Sequence, residues 1–217
     1  MPVFECSRCN HLTYSATHRL ELRCDRCGGE RLRVLDDPMS FAEARRHPRL
    51  IARGDHAAAV FDDPAEVAGV TTATLRAGVS EGALVQAFLP DALAAPVRAS
   101  LGDDAAQVAF HRPDELYGTT FDPDAIAERY RSLTNGRTVY VAGCPDRPVR
   151  TYATLEAWVR YERMAHEIAV DAGMVVLCLY DRAVFEPPYL AVCEGTHPLL
   201  GEKADFKRND EFAYLPG

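Results

Sequence analysis

From Gly54 the chain repeats one pattern. A short apolar run is followed by a turn rich in Asp, Pro or Gly, then by a longer segment with apolar positions three or four apart. The short runs predict strands at Ala57–Phe61, Ala83–Leu89, Gln107–His111, Thr138–Ala142 and Met174–Leu179. The longer segments predict helices. Asp63-Pro64-Ala65-Glu66 places a capping carboxylate, a proline and a glutamate ahead of Val67, Val70 and Thr74. That helix is expected to reach about Ala77, with Gly78 past its end. Asp91–Leu101 has Leu93, Val97 and Leu101 four apart, and Pro96 is expected to kink it or delay its start. Asp122-Pro123 opens a helix lined by Ile126, Tyr130 and Leu133 and closed at Asn135-Gly136. Thr154 caps another to about Ala172, with Trp158, Tyr161, Ala165, Ile168 and Ala172 as its core stripe and Gly173 closing it. Pro187-Pro188 starts the last, which ends near Gly195. Strands alternating with helices predict an α/β fold, a mostly parallel sheet with helices on both faces. The tail, 201–217, is polar except for Phe212–Leu215, an expected edge strand.

The first 35 residues follow a different logic. Cys6-x2-Cys9 and Cys24-x2-Cys27 stand 14 residues apart. Two such knuckles can converge four sulfurs on one tetrahedral ion, the pattern of a zinc ribbon. Iron is the minor alternative, because sulfur ligation suits both metals. A module of this size cannot build a sufficient core alone, so the metal is expected to be structural. The expected organisation is a zinc ribbon at 1–35, a linker at 36–53, the α/β domain at 54–200 and the tail.

Composition changes this picture little, and charge changes it more. Apolar content of 47% and charged content of 26% are ordinary for a globular protein. No apolar run approaches the ~20 residues of a membrane-spanning helix. The N-terminus lacks a signal pattern, so a cytoplasmic location is expected. Residues 1–35 carry six Arg against four acids, while the remainder carries 18 basic against 28 acidic residues. Phosphate contacts need clustered Lys and Arg, so nucleic acid is a possible partner for the ribbon only.

The first strand–helix turn is where a nucleotide-binding α/β protein places its phosphate loop. Here it reads Asp62-Asp63-Pro64-Ala65-Glu66, without glycine or lysine and with three acids. Nucleotide binding is not expected. In open α/β sheets ligands bind beyond the C-terminal ends of the strands. Polar groups predicted near that edge are His56, Asp62, His111, Cys144, Tyr180, Asp181 and His197. The competing reading for the histidines is a structural role, and for Asp62 and Asp181 it is capping or turn formation. Cys178 reads as a small core residue. Cys144 and Cys193 are candidate reactive thiols, with nothing in the sequence to indicate a lowered pKa.

Gly54-Asp55-His56, Phe61-Asp62-Asp63, Phe121-Asp122-Pro123 and Tyr180-Asp181-Arg182 through Thr196-His197-Pro198 together resemble the MEDS domain. This sensory domain is named for methanogens, methylotrophs and the dichloromethane-responsive regulator DcmR. The resemblance covers about Gly54 to Leu200. It implies a degenerate RecA/KaiC-like fold without nucleotide motifs, and sensing of small molecules such as hydrocarbon derivatives. It also implies coupling to a DNA-binding, kinase or anti-sigma module. The ribbon stands where such a module is expected. By resemblance, His56, Asp62, Tyr180, Asp181 and His197 are the ligand-binding positions. The leading expectation is a non-catalytic sensor or signalling adaptor, with a small organic ligand at the strand edge and a protein partner of a signalling or transcription pathway at the ribbon. Two alternatives stand beside it. One is a partner-docking scaffold without a small ligand. The other is an enzyme using His56, His197 and Asp181 as acid–base groups.

Overall fold

The computed structural model describes residues 3–6, 8, 12–14, 23–24, 29, 32–35, 51–134, 136–147, 151–202, 205–209 and 212. Cys9 and Cys27, the linker stretch 36–50 and tail positions 213–215 lie outside the described residues.

The α/β rhythm is realised as a seven-stranded sheet. In chain order its elements are β4 (His56–Phe61), α1 (Pro64–Ser80), β5 (Leu84–Phe88), α2 (Asp91–Leu101), β6 (Val108–His111), α3 (Pro113–Tyr117) and α4 (Pro123–Thr134). There follow β7 (Val139–Gly143), α5 (Leu155–Ala172), β8 (Val175–Asp181), α6 (Pro187–Thr196), β9 (Leu199–Glu202) and β10 (Asp205–Arg208). Strand order is β10-β9-β4-β8-β7-β5-β6. All neighbours pair in parallel except β10, which runs antiparallel to β9. From β4 the chain crosses to β5 on one side, and from β8 it crosses back over β4 to β9 on the other. The adjacent β4 and β8 therefore form the switch point, where connections diverge and a crevice opens at the strand ends.

The caps are those the sequence announces. Asp63 accepts from the Ala65 amide, Asp122 from Asp124 and Ala125, and Thr154 from Ala157. Alternation along each strand divides the core into two layers. Ala57, Ala59, Leu177 and Leu179 join Val70, Leu75, Leu93 and Val97 of α1 and α2. Ala58, Cys178 and Tyr180 join Ile126, Trp158, Tyr161 and Cys193 of α4, α5 and α6 on the opposite face.

Several expectations are corrected. Gly78 lies inside α1, not past its end, because a Cβ there would meet the Tyr140 ring at 2.7 Å. The helix can approach the sheet only without that carbon. Helix α2 keeps its expected bounds, Asp91–Leu101, with Pro96 inside it, so the proline does not delay its start. Ala172 is exposed and leaves the α5 stripe. Among the described tail residues β10, at Asp205–Arg208, is an edge strand, and neither it nor the short helix α3 was anticipated.

A second, three-stranded antiparallel sheet comprises β1 (Val3–Cys6), β2 (Leu12–Tyr14) and β3 (Leu32–Leu35), in the order β2-β1-β3. Cys6, Cys24, Leu32 and Phe212 form a small apolar cluster beneath it. A buried ion pair, Glu5 Oε1 to Arg208 Nη2 at 2.9 Å, ties this sheet to β10. Among the described residues no helix is long and apolar enough to cross a membrane.

Candidate functional site

Three of the sequence-predicted site residues meet inside the domain. His56 opens β4, Tyr180 is the penultimate residue of β8, and His197 follows α6 directly. In the β4–β8 register His56 is opposite Val176, Ala58 opposite Cys178 and Val60 opposite Tyr180. All six point to the face covered by α5 and α6. Ala58 is the smallest side chain in this row. The imidazole of His197 reaches both flanks, with ring centroids 3.9 Å from His56 and 5.7 Å from Tyr180. His56 and His197 are 0% exposed and Tyr180 1%. The three therefore sit in the core, beneath α5 and α6, and not on the open strand edge.

Two further residues complete the cluster, and the sequence reading did not select either as a site residue. Glu162, on α5, is 0% exposed. Its Oε1 accepts from the Tyr180 hydroxyl at 2.8 Å, and its Oε2 faces His197 Nε2 at 3.5 Å. The Cys178 sulfur lies 3.3 Å from His56 Nε2. A carboxylic acid at the centre of a buried helix face was the available signal. Glu162 falls between Trp158 and Ala165 on the same side of α5. The expected stripe passed one position to the side of it.

The tautomers follow from the partners. His197 Nδ1 lies 2.6 Å from the Cys193 carbonyl, which can only accept, so Nδ1 carries the proton and Nε2 presents a lone pair to Glu162. One turn along α5, His166 Nε2 lies 2.6 Å from the Arg8 carbonyl and donates to it. Its ring stands 5.7 Å from His56 and 5.5 Å from Phe212. Among the described residues His56 Nδ1 and Glu162 Oε2 have no hydrogen-bond partner. Buried polar atoms are rarely left so, because each forfeits its hydration without replacement.

Burial sets the protonation states. It lowers His197 to about 3 and His166 to about 4, and holds His56 well below the usual histidine range, with the neighbouring histidines adding to the effect. Burial raises Glu162 to about 8, against the pull of the Tyr180 and Cys193 hydrogen bonds. At neutral pH the centre is an uncharged set of imidazoles, carboxylic acid, phenol and thiol. Cys178, Cys193 and Cys144 are all pushed up by burial. The two candidate reactive thiols are therefore buried and protonated, which removes the basis for their reactivity. His56, Glu162, Cys178 and His197 each offer a ligand atom, and these atoms all lie within 4.8 Å of one another, a group able to hold a metal ion.

Asp62 and Asp181 do not join this cluster. Phe61 pairs with Asp181 at the strand ends, and Asp62 lies one residue beyond. Asp62 pairs with Arg182 at 3.6 Å on the exposed rim. Asp181 Oδ1 accepts from Ala183 and its carbonyl from Val184 and Phe185, holding the turn after β8. Further along the same edge a cavity of about 300 Å³ lies between Pro90, Arg112, Thr119, Asp146 and Arg147, at the ends of β5, β6 and β7. His111, another edge candidate, hydrogen-bonds Gln86 and Glu115.

An α/β domain with a buried polar centre beside its switch point, and with an acidic turn in place of a phosphate loop, defines the class. Residues 55–198 match the family model described as MEDS: MEthanogen/methylotroph, DcmR Sensory domain. The match covers more than half of the chain, and the protein belongs to this family of sensory domains. No curated protein matches significantly. Among solved structures the chain is similar to the RadB recombinase, at 18% identity and a TM-score of 0.40. That likeness covers 60% of this chain and 63% of the recombinase chain, and is too loose to define a fold or a function.

Proposed function

We propose that the protein is a non-catalytic sensory module whose sensing centre is the cluster of His56, Glu162, Cys178, Tyr180 and His197. A small organic molecule of the kind the family is named for perturbs this centre. The N-terminal unit, with Cys6, Cys9, Cys24 and Cys27 around a structural zinc, passes the change to a protein partner. For the ribbon, the Arg8 amide donates to Cys6 Sγ at 3.4 Å, the turn geometry that a metal-bound thiolate favours.

One observation carries the reading. Glu162 and His166 stand one helical turn apart on α5. Glu162 takes part in the centre, and His166 holds the N-terminal unit through the Arg8 carbonyl. A shift of α5 at the centre would thus reach β1. The acid–base alternative has less support, because it requires Asp181 beside His56 and His197, and Asp181 stands at the rim holding a turn.

The test is a thermal-shift screen of the full chain against short alcohols, aldehydes and halomethanes, with ATP-Mg as control. Hydrogen exchange is then followed in residues 3–6. One organic class is expected to raise the midpoint and to slow exchange in β1, and His166→Ala is expected to uncouple the two. Stabilisation by ATP-Mg alone, or no response to any organic class, overturns the reading.

A further inference from the structure

We infer that His56, Glu162, Cys178 and His197 form a binding site for a divalent, borderline-soft transition-metal ion, with zinc(II) the ion that suits it best. The inference rests on the sensory reading only in sharing its centre, and it concerns a metal separate from the one expected at the N-terminal cysteines.

Geometry comes first. Bonds of about 2.0–2.3 Å put the donor atoms of a tetrahedral zinc roughly 3.3–3.8 Å apart. His56 Nε2 to Cys178 Sγ is 3.3 Å, and His197 Nε2 to Glu162 Oε2 is 3.5 Å. All four donors lie within 4.8 Å of one another. They come from β4, α5, β8 and the end of α6, so one ion would tie four elements together.

The surroundings of His197 and Glu162 fit the pattern, while His56 Nδ1 has no hydrogen-bond partner among the described residues. A metal-bound histidine almost always donates its other ring proton to a carbonyl or carboxylate. His197 does so from Nδ1 to Cys193, and this leaves Nε2 free to ligate. A ligating carboxylate is usually hydrogen-bonded in turn. Glu162 Oε1 accepts from Tyr180, and Oε2 is without a hydrogen bond. Glu162 Oε2, fully buried and without a hydrogen bond, faces the lone pair of His197 Nε2 at 3.5 Å, so either a proton or a cation must lie between the two atoms. A divalent cation fills that role. With one carboxylate and one thiolate it makes a neutral unit, the condition under which charge is tolerated in a core. Two imidazoles, a thiolate and a carboxylate favour zinc, iron or nickel over calcium and magnesium, which take oxygen donors.

The experiment uses the full chain, stripped with a chelator and reloaded with Co²⁺ alone. Metal per chain is read by native mass spectrometry, beside the visible spectrum of the cobalt form. The double variant His56→Gln/His197→Gln is expected to hold one ion fewer than the wild type, whatever the N-terminal cysteines retain. Cys178→Ser preserves size and is expected to keep the ion but lose thiolate-to-cobalt charge-transfer intensity. Equal metal content in wild type and double variant overturns the proposal, and so does an unchanged Cys178→Ser spectrum. Should the double variant fail to fold, Glu162→Gln is expected to weaken the matching step of a cobalt titration at least tenfold, and an unchanged titration overturns the site. Repeating the organic screen on stripped and reloaded protein separates the two ideas. A compound that shifts the stripped form leaves the sensory reading standing without the metal. Metal uptake with no compound response leaves the metal site standing alone.

Discussion

The strands β4 and β8 carry two polar groups with opposite physics. On their covered face, beneath α5 and α6, His56, Cys178 and Tyr180 meet Glu162 and His197 away from water. At their C-terminal ends, Asp62 and Arg182 face solvent and each other, and the half-buried Asp181 holds the turn after β8. Tyr180 and Asp181 are consecutive residues, yet strand alternation sends one into the core and leaves the other at the rim. In the core a polar atom without a partner is costly, and protonation bends to the surroundings. At the rim water satisfies whatever the protein does not. The first setting suits the sensing centre proposed above, because in a low-dielectric interior a small change in ligand or charge carries a large free-energy consequence. The crevice at the switch point is a general address for ligands. In this protein the more demanding chemistry lies beneath it.

Substitutions can break or sharpen that contrast. The largest expected effect is Tyr180→Ala, which removes a buried ring and the donor to Glu162. It should cost about 3–5 kcal/mol in chemical denaturation, and a loss below about 1 kcal/mol would erase the distinction from the rim. Next is the acid response of the metal-stripped protein. His197 and His166 have folded pKa values of about 3 and about 4, below the ordinary histidine value of 6.5. Between those values the unfolded chain binds protons that the folded chain refuses. Stability should therefore fall as pH drops below about 6.5, by up to about 1.4 kcal/mol per pH unit for each group. His166→Gln should flatten that limb in a pH series of urea melts. An equally steep limb in the variant would show that His166 contributes nothing to it.

Smaller effects follow. Tyr180→Phe keeps the ring and removes only the hydroxyl that serves Glu162 Oε1, so a cost of about 1–3 kcal/mol is expected. At the rim, Asp63→Ala removes the α1 cap and should cost about 1 kcal/mol by thermal melting. Asp62→Asn, which breaks only the exposed pair with Arg182, should stay within about 0.5 kcal/mol of wild type. If Asp62→Asn proved as damaging as Tyr180→Phe, the rim would need a structural role that its exposure does not suggest.

Much of this architecture was legible before any coordinates. Apolar runs and caps placed the predicted strands and helices to within a few residues, because capping and periodicity are local. The departures have particular causes. Gly78 resembled a helix terminator, and only the approach of α1 to Tyr140 explains a glycine within the helix. Helix α3 is a single short turn with no periodicity to read.

The sequence by itself determined the family, a first strand–helix turn with three acids and no glycine or lysine, and the choice of His56, Tyr180 and His197 as candidates. Those are properties of residue types and short spacings. Only the tertiary structure decided that these three share one buried centre with Glu162 and Cys178, while Asp62 and Asp181 remain outside it. The five residues span 142 positions of chain, from β4 to the end of α6. What joins them is the parallel register of β4 on β8 and the packing of α5 across that pair. A glutamate in a helical stripe has the same letter whether it faces water or the core. Its position against Tyr180 and His197 is a long-range fact, and it turns an ordinary side chain into the middle of a site.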